Sequence, residues 1–413
     1  MEQRTMEHRR KVRCCIVGGG PAGMMLGYLL GRAGVDAVVL EKHADFFRDF
    51  RGDTVHPSTL QVMDELGLID GFLKLPHQRL QKMQGLFAGT TIRLADLGRL
   101  HVKYPFIAFM PQWDFLNFLR EAGARFPSLK VMMSTEAVEL MREGGRIAGV
   151  RAKMPDGMID IAADLVVACD GRHSTVRERA GLALEDLGAP MDVLWFRAGK
   201  DPNETESIFA RVDPGKMMVT FDRGDYWQCA FVIPKGGYEA VKARGLPALL
   251  DDVVRMAPVL KSGISDVRSW DDVKLLTVAI NRLKKWSLPG LLCIGDAAHA
   301  MSPVGGVGVN LAVQDAVATA NLLAARLQSG APSEAELDAV QARREFPVKV
   351  TQRMQVMAQD HIIRLALRPG REPLKAPLAM RVVTAVPWLQ GLTARFLGIG
   401  VRPEHVHSPV AGG

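Results

Sequence analysis

A chain of 413 residues is too long for one ordinary hydrophobic core, so two intimately packed domains are expected rather than one. Apolar residues at 48% and charged residues at 23% exclude a disordered or fibrous chain, and no run reaches the ~18 uninterrupted apolar residues of a membrane-spanning helix. The net charge of +7 is spread along the chain and aromatic residues are only 6%, which argues against a nucleic-acid partner and for small anionic ligands.

Residues 1–11 are polar, without periodicity, and are expected to fray. A short apolar run from Val12 to Val17 then meets Gly18-Gly19-Gly20-Pro21-Ala22-Gly23, after which Met24, Leu26, Leu29 and Leu30 recur at helical spacing. A second apolar run, Ala37 to Leu40, ends on Glu41, which completes a strand, helix, strand unit. A helix is expected around His56 to Leu66, strand-like runs at 85–94 and 99–109, a helix at 113–125, and strands at 129–140, 146–154 and 158–168. Alternating strands at Val193 to Arg197, Met217 to Phe221 and Tyr226 to Ile233, with a helix at 246–256, read as an inserted mixed sheet. Gly308 to Leu327 reads as a long apolar-faced helix, and the chain after 334 is mostly helical, broken by Pro369-Gly370 and later prolines.

The fold class is therefore α/β: a Rossmann-like dinucleotide-binding domain, an inserted mixed β-sheet domain for substrate, and a helical C-terminal region. The expected boundaries are 1–185 for the first part, with an excursion at 72–110, then 186–280 for the inserted sheet, 281–330 for the return, and 331–413 for the helical region. Five cysteines, at 14, 15, 169, 229 and 293, are an odd number without metal-ligand spacing, so they read as core residues, and no metal is expected. No signal peptide precedes the first strand, and the expected compartment is the cytoplasm.

Gly18-x-Gly20-x-x-Gly23 has the spacing of a dinucleotide fingerprint. Its first glycine serves the tight turn, its second the approach of a pyrophosphate, its third the close packing of helix on strand. Glu41, at the end of the next strand, can accept hydrogen bonds from a ribose, which makes the adenosine half of FAD the expected ligand. A second segment, Cys293-Ile294-Gly295-Asp296-Ala297-Ala298-His299, is followed by Pro303-Val304-Gly305-Gly306-Val307-Gly308-Val309-Asn310. Asp296 is placed to hold a ribityl hydroxyl, and the helix opening at Gly308 to point its N–H groups, through Val309 and Asn310, at the flavin N1/C2 edge. His299, at a strand-to-helix junction, and His56, ahead of Pro57, read as structural rather than as acids or bases.

Residues 12–41, 164–177 and 291–316 together resemble the single-component FAD-dependent aromatic hydroxylases, the p-hydroxybenzoate hydroxylase-like flavin monooxygenases. The middle piece, Cys169-Asp170-Gly171-Arg172-His173-Ser174-Thr175-Val176-Arg177, looks like that group's Asp-Gly motif, associated with both FAD and NAD(P)H, although Asp170 reads as fixing its loop. The resemblance implies that Arg51, Lys42, Gln112, Pro303 and the backbone of Val138 also border the cofactor. It implies that NADPH or NADH binds transiently as reductant, and that oxygen from O₂, added at the flavin C4a, passes to an electron-rich aromatic or polyketide-like small molecule by hydroxylation or epoxidation.

The substrate pocket is expected between the flavin and the inserted sheet, with Tyr226, Gln228 and Pro303 as lining. Strand alternation puts Tyr226, Gln228, Ala230 and Val232 on one face and Trp227, Cys229, Phe231 and Ile233 on the other, without deciding which faces the pocket. No catalytic side chain is assigned. A reductase or dehydrogenase, a halogenase (whose Trp-x-Trp-x-Ile-Pro signature Tyr226 to Pro234 only echoes), and a flavin-binding protein without turnover are the alternatives. The tail residues Arg381, Val382, Trp388, Leu389, Leu392, Arg395, Phe396 and Leu397 read as a packed helical cover in preference to a membrane-surface contact, in a monomer or homodimer. With the chain stopping near residue 413, the extra C-terminal thioredoxin-like domain of the larger phenol hydroxylases is not expected.

Overall fold

The structure is a computed structural model and describes residues 8–47, 54–201, 203, 208–367 and 375–412. Strand β1 (His8–Val17) leads through the glycine turn into α1 (Pro21–Arg32) and back into β2 (Ala37–Leu40), the expected strand, helix, strand unit. Cys14 to Val17 and all of β2 are buried, as befits parallel strands covered on both faces. The chain continues through α2 (Pro57–Glu65), β3 (Lys82–Phe87), β4 (Thr90–Asp96), α3 (Gln112–Gly123), β5 (Leu129–Met132), β6 (Glu136–Glu143), β7 (Arg146–Met154), β8 (Gly157–Ala168) and α4 (Thr175–Ala180). Beyond it lie β9 (Met191–Gly199), β10 (Ala210–Asp213), β11 (Lys216–Asp222), β12 (Tyr226–Pro234), α5 (Leu246–Met256), β13 (Lys274–Leu276) and β14 (Leu291–Cys293). Four principal helices close the chain: α6 (Gly308–Ser329), α7 (Glu334–Ala358), α8 (Leu378–Ala385) and α9 (Pro387–Gly398).

Two sheets organise these elements. The first runs β14-β8-β1-β2-β5, all parallel, with β7 added antiparallel to β8 and β6 antiparallel to β7. The second, of seven strands, runs β13-β9-β12-β11-β10-β3-β4. The 186–280 segment thus does not form its sheet alone: β3 pairs in parallel with β10, so the earlier hairpin supplies two of the strands. α6 is long and apolar enough to cross a membrane, yet it is buried in this core against α1.

Three expectations are corrected. Residues 8–11 are strand rather than frayed tail, because the long β8 offers them a partner from Ile159 to Ala162. The run 99–109 is strand only at Ile107–Phe109: Asp96 accepts from the Gly98 N–H at 3.1 Å to close a 3-10 turn, and Pro105 has no N–H to give a ladder. The run 129–140 breaks at Ser134, whose φ of 51° turns the chain out of β5 before β6 begins. All five cysteines are buried with free thiols, and burial pushes the Cys15 thiol up to about 12. The expected break at Pro369-Gly370 lies outside the described residues.

Candidate active site

The three sequence segments meet at the C-terminal ends of β1, β8 and β14, which are neighbours in the first sheet. The Cys169 N–H donates to the Val17 carbonyl at 2.7 Å, and the Ile294 N–H to the Ala168 carbonyl at 3.0 Å. Gly18 (φ 105°) lies so close to the next strand end that an added Cβ would sit 2.4 Å from the Cys169 oxygen. At Gly23 an added Cβ would sit 1.9 Å from the Gly18 oxygen. These two glycines are required by the protein itself.

Gly20 is different. Its φ of −74° is ordinary, and a Cβ there would meet nothing within 4 Å. Gly308 repeats the pattern on the other side of the site, with an ordinary φ and a nearest atom, Met301 Cβ, at 3.9 Å. Gly20 is the N-cap of α1 and Gly308 the first residue of α6, and no side chain caps either helix. Both helices therefore present bare N–H groups and partial positive charge across a space that only a glycine leaves clear. The Pro303–Gly306 turn before α6 holds Gly305 and Gly306 at positive φ, and Thr54 Oγ1 donates to the Gly306 carbonyl at 2.7 Å.

Polar side chains brace this cradle. Buried Glu41 accepts from the Gly19 N–H at 3.0 Å and the His43 N–H at 3.1 Å, which fixes its carboxylate beside the glycine turn, while Lys42 is exposed. Asp170 accepts from Ser174 Oγ at 2.5 Å and from the Val176 N–H at 3.1 Å, so it does fix its own loop. Asp296 is partly exposed and lies 3.6 Å from Arg172. Arg177 donates to the carbonyls of Ala297 at 2.9 Å and Arg172 at 2.8 Å, and so stitches the Asp-Gly loop to the third segment. Sequence reading missed that function, because the partner lies 120 residues away.

Asn310 is anchored through its side chain. Its side-chain oxygen accepts from the His56 N–H at 2.9 Å and from Thr59 Oγ1 at 2.7 Å, and its amide faces the Thr54 and Gly306 carbonyls at 3.4 Å. The amide is thus committed to the protein, and only the backbone of Asn310 is left for a ligand. His56 Nδ1–H donates to the Leu397 carbonyl at 2.8 Å, its Nε2 has no partner among the described residues, and burial lowers its pKa to about 4. Val138 is the extra residue where the β6–β7 register skips between Ala137 and Glu139, and it lines a shallow cleft with Thr175 and Arg179. Gln112 opens α3, whose next residue, Trp113, packs on Phe47 at 4.8 Å. Arg51 lies outside the described residues.

His299 is structural. Its Nε2 lies 2.6 Å from Asp315, which also accepts from the Gly295 N–H at 3.0 Å and from Arg344 Nε at 2.9 Å. Burial pushes the Asp315 carboxyl up, but His299 and Arg344 outweigh it and hold it below the usual carboxylate range. The signal available beforehand was a lone acid on the apolar face of α6.

Opposite the cradle stands the second sheet. Trp227, Cys229, Phe231 and Ile233 pack against Leu249, Val253 and Met256 of α5. The other face of β12 packs, through Ala230 and Val232, with Trp195, Met217 and Val219 toward Val304 of the glycine turn. Gln228, on this face, is buried and accepts from Arg223 Nε at 2.9 Å, and Tyr226 lies under the Arg197 guanidinium at 5.0 Å. Phe221 is the centre of an aromatic group, 5.1 Å from Phe109, 5.2 Å from Phe209 and 5.9 Å from Trp195, and the Arg223 guanidinium lies 6.0 Å from both Phe109 and Phe221.

The FAD binding domain family matches residues 11–354. The chain is 32% identical over 385 residues to a 6-methylpretetramide 4-monooxygenase from Streptomyces rimosus, covering 92% of this chain and 91% of that one. It is 27% identical to a rifampicin monooxygenase from Streptomyces venezuelae, over 88% of this chain and 74% of that one. In fold it is similar to an anhydrotetracycline hydroxylase from Streptomyces rimosus, with a TM-score of 0.75 at 24% identity over 98% of this chain and 78% of that one. With glycine-bounded cradle, parallel sheet and matched length in agreement, the chain belongs to the single-component FAD-dependent aromatic hydroxylases, the flavin monooxygenases that draw on NAD(P)H.

Proposed function

We propose that this monooxygenase inserts one oxygen atom into a polycyclic aromatic substrate of polyketide type. The observation that carries this reading is the face of the second sheet turned toward Val304: broad, lined by Trp195, Phe221 and Phe109, and provided with Gln228 and Arg223. Flat electron-rich rings stack on such aromatic walls, and a guanidinium favours the partial negative charge of their phenolic oxygens. The 6-methylpretetramide monooxygenase supports the substrate class, being similar over nearly the full length of both chains.

FAD fits the residues present, since Gly20 and Gly308, at the two uncapped helix starts that bound the site, are positions where the protein alone gives no reason for glycine. In this reading Gly18, Gly20, Gly23 and the α1 N-terminus hold the pyrophosphate, Glu41 the adenosine ribose, and Val138 the adenine through its backbone. Asp170, Asp296, Arg51, Lys42 and Gln112 border the ribityl and phosphate region, and Pro303, Gly305, Gly306, Gly308, Val309 and the backbone of Asn310 face the ring. Bound FAD, reduced by NAD(P)H, supplies the activation of O₂. The chain's own part is to place the substrate ring against that turn, to exclude water with Trp195, Val219 and Phe221, and to set the α6 N-terminus at a ring edge that gains negative charge on reduction.

The cytoplasm, where NAD(P)H is held, is the compartment this reading assigns. The test is a screen of phenols, quinolones and polycyclic aromatic polyketides for stimulated NAD(P)H oxidation, with product masses measured. Stimulation by a polycyclic ligand with a product heavier by one oxygen is the expected outcome. Stimulation by simple phenols alone would remove the polyketide assignment.

A further inference from the structure

We propose that the outer faces of α8 and α9 form a docking surface for an anionic lipid bilayer. In α8, Leu378, Arg381, Val382 and Ala385 recur at helical spacing and are exposed, and in α9 Trp388, Leu392 and Arg395 do the same. Leu378 is 72% exposed, Trp388 68%, Leu392 57% and Val382 42%. Trp388 is the only exposed tryptophan of the six. The inner faces are committed to the protein. Thr384 Oγ1 accepts from the Arg93 N–H of β4 at 3.0 Å, and Ala394 is buried among Met83, Ala95 and Leu97. Two helices laid on one edge strand turn their free faces to the same side.

Charge decides what covers this face. From residue 375 to 402 the chain carries Lys375, Arg381, Arg395 and Arg402 and no Asp or Glu. Arg93 adds a further exposed cation, and the acid beside it on β4, Asp96, is engaged by Arg99 at 3.3 Å. A second copy of the chain would set these cations against their own symmetry mates, since a two-fold interface brings one patch against itself. An anionic headgroup layer neutralises them while Trp388, Leu378 and Leu392 enter the acyl boundary, as interfacial helices do. α9 also borders the site, because a Cβ on Gly305 would lie 3.0 Å from Leu397. Delivery of an apolar substrate from the bilayer would rest on the function proposed above, whereas the docking itself does not.

The FAD-loaded protein is sedimented with vesicles of phosphatidylcholine alone and of phosphatidylcholine mixed with phosphatidylglycerol. The expected result is sedimentation with the anionic vesicles only, reversed by salt, and a blue shift of tryptophan emission that Trp388→Phe lacks. Arg381→Gln combined with Arg395→Gln weakens partitioning about thirty-fold, while unchanged flavin absorbance shows that the variant is folded. No sedimentation with anionic vesicles, or equal sedimentation with phosphatidylcholine alone, overturns the proposal. So does a concentration-dependent dimer that Trp388→Ser abolishes, because a second copy then covers the face.

Discussion

A valine at Gly20 places its Cβ where no protein atom lies within 4 Å. Gly20→Val is therefore expected to change the unfolding free energy of the FAD-stripped protein by no more than about 1 kcal/mol, the usual scale of an N-cap change, and yet to lose FAD on gel filtration. Full flavin retention by that variant would show that nothing approaches the α1 N-terminus. Gly23→Val is expected not to fold at all, with its Cβ driven to 1.9 Å from the Gly18 oxygen. His56 gives a second test. Its folded pKa, about 4, lies below the ordinary histidine value of 6.5, so the unfolded chain takes up the proton first and stability falls as pH drops from about 6.5 toward 4. Between pH 7.5 and 5 this costs about 2 kcal/mol, and His56→Gln, which can still donate to Leu397, should remove that part of the acid sensitivity in urea titrations. The fingerprint glycines and Glu41 were legible because their spacing is local. The partners of the Asn310 and Arg177 side chains were not, since they are set by the tertiary fold, 254 residues away for Asn310 with His56 and 120 for Arg177 with Ala297.

At the scale of elements, α6 carries both the proposed flavin edge and a buried ion-pair network. Gly308→Asp puts a carboxylate at its uncapped N-terminus, where charge effects are worth about 0.3–2 kcal/mol. The expected result is a lower flavin reduction potential, on the order of 20 mV per kcal/mol for a two-electron couple, with FAD still bound. An unchanged potential at full occupancy would place the ring elsewhere. Further along α6, Asp315→Asn takes one of its two carboxylate partners from buried Arg344, which keeps only Glu404 at 3.3 Å, and a loss of about 3 kcal/mol in chemical denaturation is expected. Strands β9, β11 and β12 of the second sheet and α5 were legible from alternation and apolar spacing, whereas the short β10 and β13 were not. Which face of β12 meets the site was not, because both faces are apolar and the answer depends on α5 covering one of them and the Val304 turn the other. The contribution of β3 and β4 was hidden for the same reason, since strand partners are chosen by the sheet and not by neighbours in sequence.

At the scale of the molecule, the architecture was readable because three short segments, each ending a neighbouring parallel strand, converge on one edge of one sheet. Family membership follows from the match over residues 11–354. The proposed substrate class, by contrast, rests on an aromatic wall assembled from β9, β11, Phe109 and Phe209, which no single stretch of sequence reveals. The most direct test of the account is turnover of a polycyclic aromatic substrate under isotopically heavy dioxygen with NADPH or NADH. One heavy oxygen atom in the product, with one NAD(P)H oxidised for each product formed, is the predicted result, and a product that gains hydrogen without heavy oxygen would contradict it.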